Sequence, residues 1–336
     1  MSNTSYPSYW TYNASAINRY FPIPLLIFGT FGNILNILIF TRKTLRKNSC
    51  VQYLLSTSIV SVLTLYIGLM SRLLNGYNLD YTSYSSTLCK IRYFMSYLCL
   101  YCTSWFITLG CFDRFCSSSV SVFLRNFCKQ KIVYRAISTV IILGCFIFAE
   151  TIYCFNNGNL NSVASCYTIS VQCQIIDGLL LMIFYTTIPI VLMITFGFLT
   201  LKNIRQSRRQ VRSVKTEPRL DTSMTQNIST RIVPNAIKDN FSSGVNTKIR
   251  KQDLQIITML FVQVGTIIIF CSPMGFYKFY ASLTARTEKS LQHKEIENFV
   301  AQFVILITYI NNSMMFFIYT LTGRIFRQEL FKLIFK

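Results

Sequence analysis

Seven long apolar segments, spread from one end of the chain to the other, limit most strongly what this sequence can fold into. Several hold about 20 residues or more, enough for an α-helix to cross the hydrocarbon core of a bilayer. The segments lie at about 21–41, 50–74, 90–115, 134–155, 175–201, 254–281 and 297–321. Core helices of soluble proteins are rarely so long and so poor in charge. The pattern therefore predicts an all-α membrane protein, a seven-transmembrane helix bundle.

The basic charge of the chain is consistent with this topology. The net charge is +21, a value that by itself would fit a nucleic-acid-binding protein. If the amino terminus is outside and the spans alternate, however, 25 of the 33 Lys and Arg residues lie on inner segments or at inner helix ends. This is the positive-inside bias of membrane proteins. We therefore expect no nucleic-acid partner, and a multi-pass chain in the plasma membrane with an extracellular amino terminus.

The domain organisation follows from this topology. Residues 1–20 are polar and are expected to form an extracellular segment, in which the sequons at Asn3 and Asn13 are candidate glycosylation sites. Residues 21–321 form the seven-transmembrane domain. Residues 322–336 alternate apolar and charged side chains at helical spacing. That spacing predicts a short amphipathic eighth helix, lying on the inner membrane surface in contact with lipid.

Several motifs lie at the ends or in the middle of the predicted helices, and their spacing can be compared with that of known families. Cys89 begins the third span, and the triplet DRF at 113–115 ends it 24 to 26 residues later, about 36 Å along a helix. The sixth span contains Pro273, and the seventh ends at Tyr319, seven residues before Phe326. This combination resembles the rhodopsin-like (family A) G-protein-coupled receptors. The ending FFIY…GRIFRQEL is most similar to invertebrate FMRFamide-type neuropeptide receptors.

The resemblance implies a two-state switch at the inner end of the bundle. Arg114 would pair with its neighbour Asp113 and with Asp253 at the inner end of the sixth helix. A ligand bound outside would favour a state in which the sixth helix swings outward and frees Arg114. A heterotrimeric G protein would then enter the cleft, and Tyr319 would move inward to hold the open state.

The resemblance also implies a disulfide between Cys89 and the second outer loop. Cys166 and Cys173 are both candidates, since each precedes Pro189 of the fifth span by enough residues to reach. Cys166 leaves the longer loop and is favoured. Whether Cys173 or Cys154 also forms a bond is left open.

The sequence departs from the family pattern in the middle of the bundle. Ser61 stands where the family has a sodium-binding Asp, residues 315–316 are Met-Phe instead of Asn-Pro, and Cys271 replaces the Trp of the sixth helix. The first two changes remove oxygen ligands for a hard cation. We therefore expect no metal, no cofactor, and no effect of sodium on ligand affinity.

The outer half of the bundle suggests a peptide ligand. Ser96 occupies the place of the Asp that binds amines in amine receptors, and residues 299–321 contain no Lys for a retinal Schiff base. If the peptide were an amidated Arg-Phe peptide, its guanidinium would need a carboxylate, for which Asp177 and Glu150 are candidates. The other candidate contacts are one ammonium and three aromatic side chains, Lys278, Tyr97, Tyr277 and Tyr309.

The long inner loop, 203–252, is polar, basic and rich in Ser and Thr, so we expect it to be largely disordered and helical only at its two ends. Its hydroxyl side chains make it the expected site of kinase and arrestin action. An enzyme is disfavoured, because His293 is the only histidine and no paired acids lie within the spans. The main alternative is a divergent orphan seven-helix receptor with altered or lost G-protein coupling.

Overall fold

Seven helices long and apolar enough to cross a membrane dominate the described part of the chain. The computed structural model describes residues 8–77, 79–80, 85–157, 166–216 and 235–334, with side chains except at 207–216, 235–254, 325 and 334. The spans are Tyr9–Phe40, Ser49–Gly76, Ser86–Ser118, Gln130–Cys154, Val171–Gln206, Gln255–Leu283 and Leu291–Thr322. The predicted all-α seven-transmembrane bundle is therefore confirmed. The second, third, fifth and seventh spans extend beyond their apolar segments at both ends, whereas the first, fourth and sixth do so at one end only.

The spans are built from helices that we number in chain order. These are α1 Tyr9–Tyr20, α2 Pro22–Phe40, α3 Lys43–Arg46, α4 Ser49–Thr64, α5 Met70–Gly76, α6 Ser86–Ser118, α7 Val122–Asn126, α8 Gln130–Ile147, α9 Glu150–Cys154, α10 Val171–Leu180, α11 Ile188–Thr216, α12 Asn235–Leu283, α13 Leu291–Thr322 and α14 Arg324–Ile334. A π-helical turn, Leu65–Leu69, joins α4 to α5, and another, Leu181–Thr187, joins α10 to α11.

Several spans begin at side chains that cap a helix. Asn48 accepts a hydrogen bond from the backbone N–H of Cys50 at the start of α4. Ser85, Ser170 and Ser290 play the same part at the starts of α6, α10 and α13. Such caps satisfy N–H groups that have no partner inside the helix, which is why short polar residues mark where these helices start.

The third span, α6, lies at the centre of the bundle. In its most apolar window 72% of the residues are buried, against 22% in the fourth span. The fourth span instead turns large apolar side chains such as Ile142 and Phe146 outward, as expected for a lipid-facing helix, since a bilayer solvates apolar surface. Helix α6 packs against helices of the second, fourth, fifth and sixth spans, as its central position requires.

The chain before residue 21 is more ordered than its polar composition suggests. Helix α1 occupies Tyr9–Tyr20 and leads into α2 at Pro22. Its Trp10 ring packs 5.4 Å from Phe299 of the seventh span, and the buried Asn18 amide donates to Gln302 at 3.2 Å. The expected start of the first apolar segment at about residue 21 agrees with α2, which begins at Pro22, and α1 is an additional helix whose polar side chains have partners on the seventh span.

A small hairpin follows the fourth span. Strand β1, Phe155–Asn157, pairs antiparallel with β2, Cys166–Thr168, with Phe155 opposite Thr168 and Asn157 opposite Cys166. The hairpin lies against α6, where the Phe155 ring stacks on Tyr93 at 4.1 Å. The sequence pattern does not predict these strands, because three residues are too few to show the alternation of apolar and polar side chains.

The predicted eighth helix is present as α14. It begins after Gly323 and buries Phe326 against the rings of Phe40 and Tyr319, at 5.5 and 6.1 Å. Its charged side chains point away from this contact, except that the buried Glu329 pairs with Lys332 at 2.9 Å. The strongly amphipathic spacing thus folds the helix back across the first and seventh spans.

Candidate functional site

Two disulfides tie together one end of the bundle, which we call the disulfide end. The Cys89–Cys166 bond joins the start of α6 to strand β2, with the Cα atoms 6.0 Å apart, so the favoured pairing is confirmed. The Cys154–Cys173 bond joins α9 to α10, with the Cα atoms 5.3 Å apart. The sequence did not decide whether Cys154 and Cys173 form a bond. The only indication was that four cysteines lie at the same end of the predicted helices.

A buried ion pair links three spans just below the disulfides. Lys278 of α12 lies 2.6 Å from Asp177 of α10, and the Asp177 side chain is only 2% exposed. The ammonium also donates to the hydroxyl of Tyr97 on α6 at 3.2 Å. Gly178 permits this approach, since a Cβ there would lie 2.8 Å from the carbonyl oxygen of Lys278. The structure thus brings three of the predicted ligand contacts into one cluster.

Glu150 adds a second carboxylate near this cluster. Both of its carboxylate oxygens are buried, and neither has a hydrogen-bond partner among the described residues. The same holds for Oδ1 of Asp177. Because a buried carboxylate without donors is costly, these atoms mark a place where a donor from another molecule would be stabilised.

A cavity opens beside the ion pair, between the second, third, sixth and seventh spans. Ser96, Tyr97, Lys278 and Tyr309 line it, as do two arginines that sequence reasoning placed only at the rim or did not consider. Tyr277 has a different position, because its hydroxyl donates to the backbone carbonyl of Glu297 at 3.2 Å and ties the sixth span to the seventh.

Arg114 lies at the opposite end of the bundle, which we call the Arg114 end. Its guanidinium donates to Oδ2 of Asp113 from Nη2 at 2.6 Å and from Nε at 3.2 Å, and both side chains are almost fully buried. Nη2 also donates to Oδ1 of Asn48 at 2.9 Å. Asn48 therefore caps α4 and holds Arg114 with the same side-chain oxygen, which connects the second span to the third.

Asn48 was missed by sequence reasoning. An Asn before an apolar segment is a recognisable start signal for a helix, so the capping role of Asn48 could be predicted. Its hydrogen bond with Arg114 could not, because Arg114 is 66 positions away and no local pattern links the two residues. A small cavity lies next to Arg114 between the third, fifth and sixth spans.

The other predicted switch residues are placed as follows. Tyr319 is fully buried and packs 5.5 Å from the ring of Phe40, and its hydroxyl has no hydrogen-bond partner among the described residues. The side chain of Asp253 lies outside the described residues. Of the two sequons, Asn3 also lies outside them, whereas Asn13 is on α1 and its amide donates to the carbonyl of Tyr9 at 2.8 Å.

A cysteine in the connection between the third and fourth spans contacts Asp113. The thiol of Cys128 donates to the backbone carbonyl of Asp113 at 3.5 Å. Burial raises the pKa of Cys128 to about 12, with a further contribution from the Asp113 carboxylate. At neutral pH this residue is therefore a thiol, and it lacks the thiolate character that makes cysteines reactive.

The place of the sodium-binding acid is filled by a short hydroxyl network. Ser61 donates to Oδ1 of Asn312 at 3.1 Å and lies 3.4 Å from the sulfur of Met315. Within the described residues, no group of three or more His, Cys, Asp or Glu side chains is placed to hold a metal ion. The middle of the bundle therefore packs through neutral polar and apolar contacts.

Comparison with protein families gives one match. The model described as 7 transmembrane receptor (rhodopsin family) matches residues 32–319, a range that includes both disulfides, the buried ion pair and Arg114. A comparison with curated proteins finds no match.

Proposed function

The chain belongs to the rhodopsin family of seven-transmembrane receptors, and we propose that it passes the binding of an extracellular peptide to a heterotrimeric G protein. Proteins of this family are receptors rather than enzymes, and the seven apolar helices make this one a multi-pass membrane protein. The single observation that carries the proposal is α6. This one helix is tied by Cys89 to the hairpin at the disulfide end and carries the Asp113–Arg114 pair at the other.

Two independent features support an orientation with the disulfide end outside the plasma membrane. Disulfides persist in oxidising compartments, which favours the extracellular side for both bonds. The excess of Lys and Arg on the segments near Arg114 favours the cytosol for the opposite end. In this orientation α14 lies along the cytosolic membrane surface, and Asn3 and Asn13 are on the side where glycosylation occurs.

The inner end has the chemistry of a latch. Arg114 is held by Asp113 and by Asn48, and breaking such buried contacts is costly, so the closed form is favoured without ligand. We infer that outward movement of the sixth helix and release of Arg114 open the cleft for the G protein. Asp253 is the proposed additional partner on the sixth helix, and Tyr319 is the proposed support of the open form.

Replacing Asn48 tests this latch without any ligand. Asn48→Ser keeps an oxygen that caps α4 but is too short to reach Arg114. Losing a hydrogen bond to a charged group shifts the closed–open equilibrium by about 1.5 kcal/mol or more, roughly tenfold. We expect basal G-protein activation, measured in cells by energy transfer between G-protein subunits, to rise severalfold. Asn126→Ser, an exposed cytosolic control, should leave it unchanged. Equal basal signals in both variants would reject the latch.

The ligand proposal is a neuropeptide. An amidated Arg-Phe peptide is the specific hypothesis, and the two partnerless carboxylate oxygens of Glu150 support it, since a guanidinium would supply their missing donors. Asp177 is the second proposed partner, although Lys278 already holds its other oxygen. A neuropeptide library screened with the same G-protein readout tests the function directly. Silence to every peptide, combined with a silent Asn48→Ser variant, would favour a receptor with altered or lost coupling.

Regulation is proposed to act through the inner loop 203–252. Its Ser and Thr residues would receive phosphate, which adds charge that arrestin recognises. Deleting 216–247 should therefore abolish arrestin recruitment while surface expression stays normal, because the deletion leaves intact the membrane-spanning parts of the fifth and sixth helices, Val171–Gln206 and Gln255–Leu283. Arrestin recruitment that persisted in the deletion variant, measured by luciferase complementation, would place the phosphorylation sites elsewhere.

A further inference from the structure

The outer cavity is lined by three cationic side chains. Arg72 of the second span, Arg92 of the third and Lys278 of the sixth all line the cavity beside the ion pair. Arg72 and Arg92 also line a second cavity, which reaches α1. No Asp or Glu among the described residues lines either cavity. The two cavities therefore share a wall that presents positive charge to whatever enters.

Two of these cations have carboxylate partners behind the cavity wall. Lys278 pairs with Asp177 at 2.6 Å, and Arg92 pairs with Asp80 at 3.0 Å. Arg72 differs, because it donates to the neutral side-chain amide of Gln302. Its Nε is buried and has no hydrogen-bond partner among the described residues. This partly buried guanidinium therefore has a donor group without an acceptor, and no carboxylate of the described residues pairs with it.

We propose that this cavity binds a carboxylate of the extracellular ligand, with Arg72 as its principal partner. The planar guanidinium suits the two oxygens of a carboxylate, and the pair is stronger where water is excluded. A carboxylate is the anion that a peptide supplies without modification, from an acidic side chain or from its free end. This inference rests on the proposed receptor function and specifies the ligand chemistry of the outer site.

Aromatic side chains complete the site beside the arginines. Tyr93 and Tyr97 of α6 and Tyr309 of α13 line the same cavity. Tyr309 lies directly over Gly68, where a Cβ would clash with its ring, and this close packing holds the ring in place. An acidic group next to an aromatic or apolar one therefore fits the cavity better than an acidic group alone.

The carboxylate site and Glu150 both lie close to Lys278. Lys278 lines the cavity with Arg72 and also holds Asp177, next to which Glu150 lies. A peptide that carries a basic and an acidic group could satisfy both, with its guanidinium toward Glu150 and its carboxylate toward Arg72. The two groups make independent contributions, so the carboxylate site is testable by itself.

A matched pair of small probes tests the site on the purified full-length receptor. N-acetylphenylalanine carries an aromatic ring and a carboxylate, and N-acetylphenylalaninamide differs only in lacking the charge. At a probe concentration about ten times a millimolar Kd, we expect the acid to raise the melting temperature by about 2–5 °C. The amide should raise it by less than about 1 °C under the same conditions.

Variants assign the effect to Arg72. Arg72→Gln should remove the shift caused by the acid, and Arg72→Lys should retain part of it because a positive charge remains. Arg286→Gln, at an exposed position near the end of the sixth helix, is the matched control and should leave the full shift. If Arg72→Gln does not fold, the comparison of the acid with the amide on the unchanged protein still tests whether the site selects a carboxylate.

Two results would overturn the carboxylate site: equal shifts by the acid and the amide, or an acid-specific shift that survives Arg72→Gln. Neither result depends on a G protein, so failure here leaves the signalling proposal standing. Conversely, an acid-specific shift that is lost in Arg72→Gln would support this site even in a chain that never activates a G protein.

Discussion

Removing the Cys89–Cys166 disulfide should leave far less folded receptor at the cell surface than removing Cys154–Cys173. The first bond closes a sequence separation of 77 residues and the second one of 19. In the chain-entropy account these loops correspond to about 4.5 and about 3 kcal/mol of stabilisation. Membrane insertion already confines the unfolded chain and lowers both values, and the order between them is the prediction.

The measurement uses double variants, so that no single thiol is left to form a wrong bond. Surface receptor is counted by flow cytometry through an amino-terminal epitope tag and divided by total receptor. Cys145→Ser, in the fourth span, is the control, because Cys145 is in neither disulfide. A Cys89→Ser/Cys166→Ser variant that reached the surface as well as this control would show that the hairpin is held by packing alone.

Lys278→Met should destabilise the receptor more than the double change Asp177→Asn/Lys278→Met. The single change leaves a carboxylate that is 2% exposed without its cation, a loss of about 3–5 kcal/mol. The double change removes both charges, so the penalty for a buried unpaired carboxylate disappears. For a chain of 336 residues each kcal/mol corresponds to about 1.5–3 °C in melting temperature, since the unfolding entropy grows with chain length.

Thermal unfolding of the purified receptor without ligand measures the difference. We expect Lys278→Met to lower the melting temperature by about 5–15 °C and the double variant to recover at least half of that loss. Lys294→Met, an exposed lysine at the start of the seventh span, should change it by less than about 2 °C. Additive losses in the double variant would mean that the two side chains contribute separately.

The hydrophobicity and spacing of residues within single segments were sufficient to predict most of the helices. Each span is long enough and apolar enough to be recognised alone, because the bilayer imposes the same length on every crossing helix. The amphipathic spacing after Gly323 likewise predicts α14, whose Phe326 is buried. Helix α1 was not predicted, because its Trp10 and Asn18 are held by contacts with Phe299 and Gln302 of the seventh span. The polar composition of the segment gives no sign of such partners.

Side-chain contacts between helices required the tertiary structure. Asp177 meets Lys278 across 101 positions of sequence, and Arg114 meets Asn48 across 66. Such contacts depend on how each helix is rotated about its axis, and a π-helical turn changes that rotation for every residue beyond it. Arg72 follows the turn Leu65–Leu69, so the regular helical period does not predict the face on which it lies.

The amino-acid sequence alone therefore specified the seven-helix membrane class, the positions of the crossings and the amphipathic α14, because all three depend on hydrophobicity and spacing within single segments. The tertiary structure alone decided the second disulfide, the Asn48 contact and the grouping of Arg72, Arg92 and Lys278 around one cavity. These features arise where different helices meet, and their energies depend on burial and distance, which exist only once the bundle has packed.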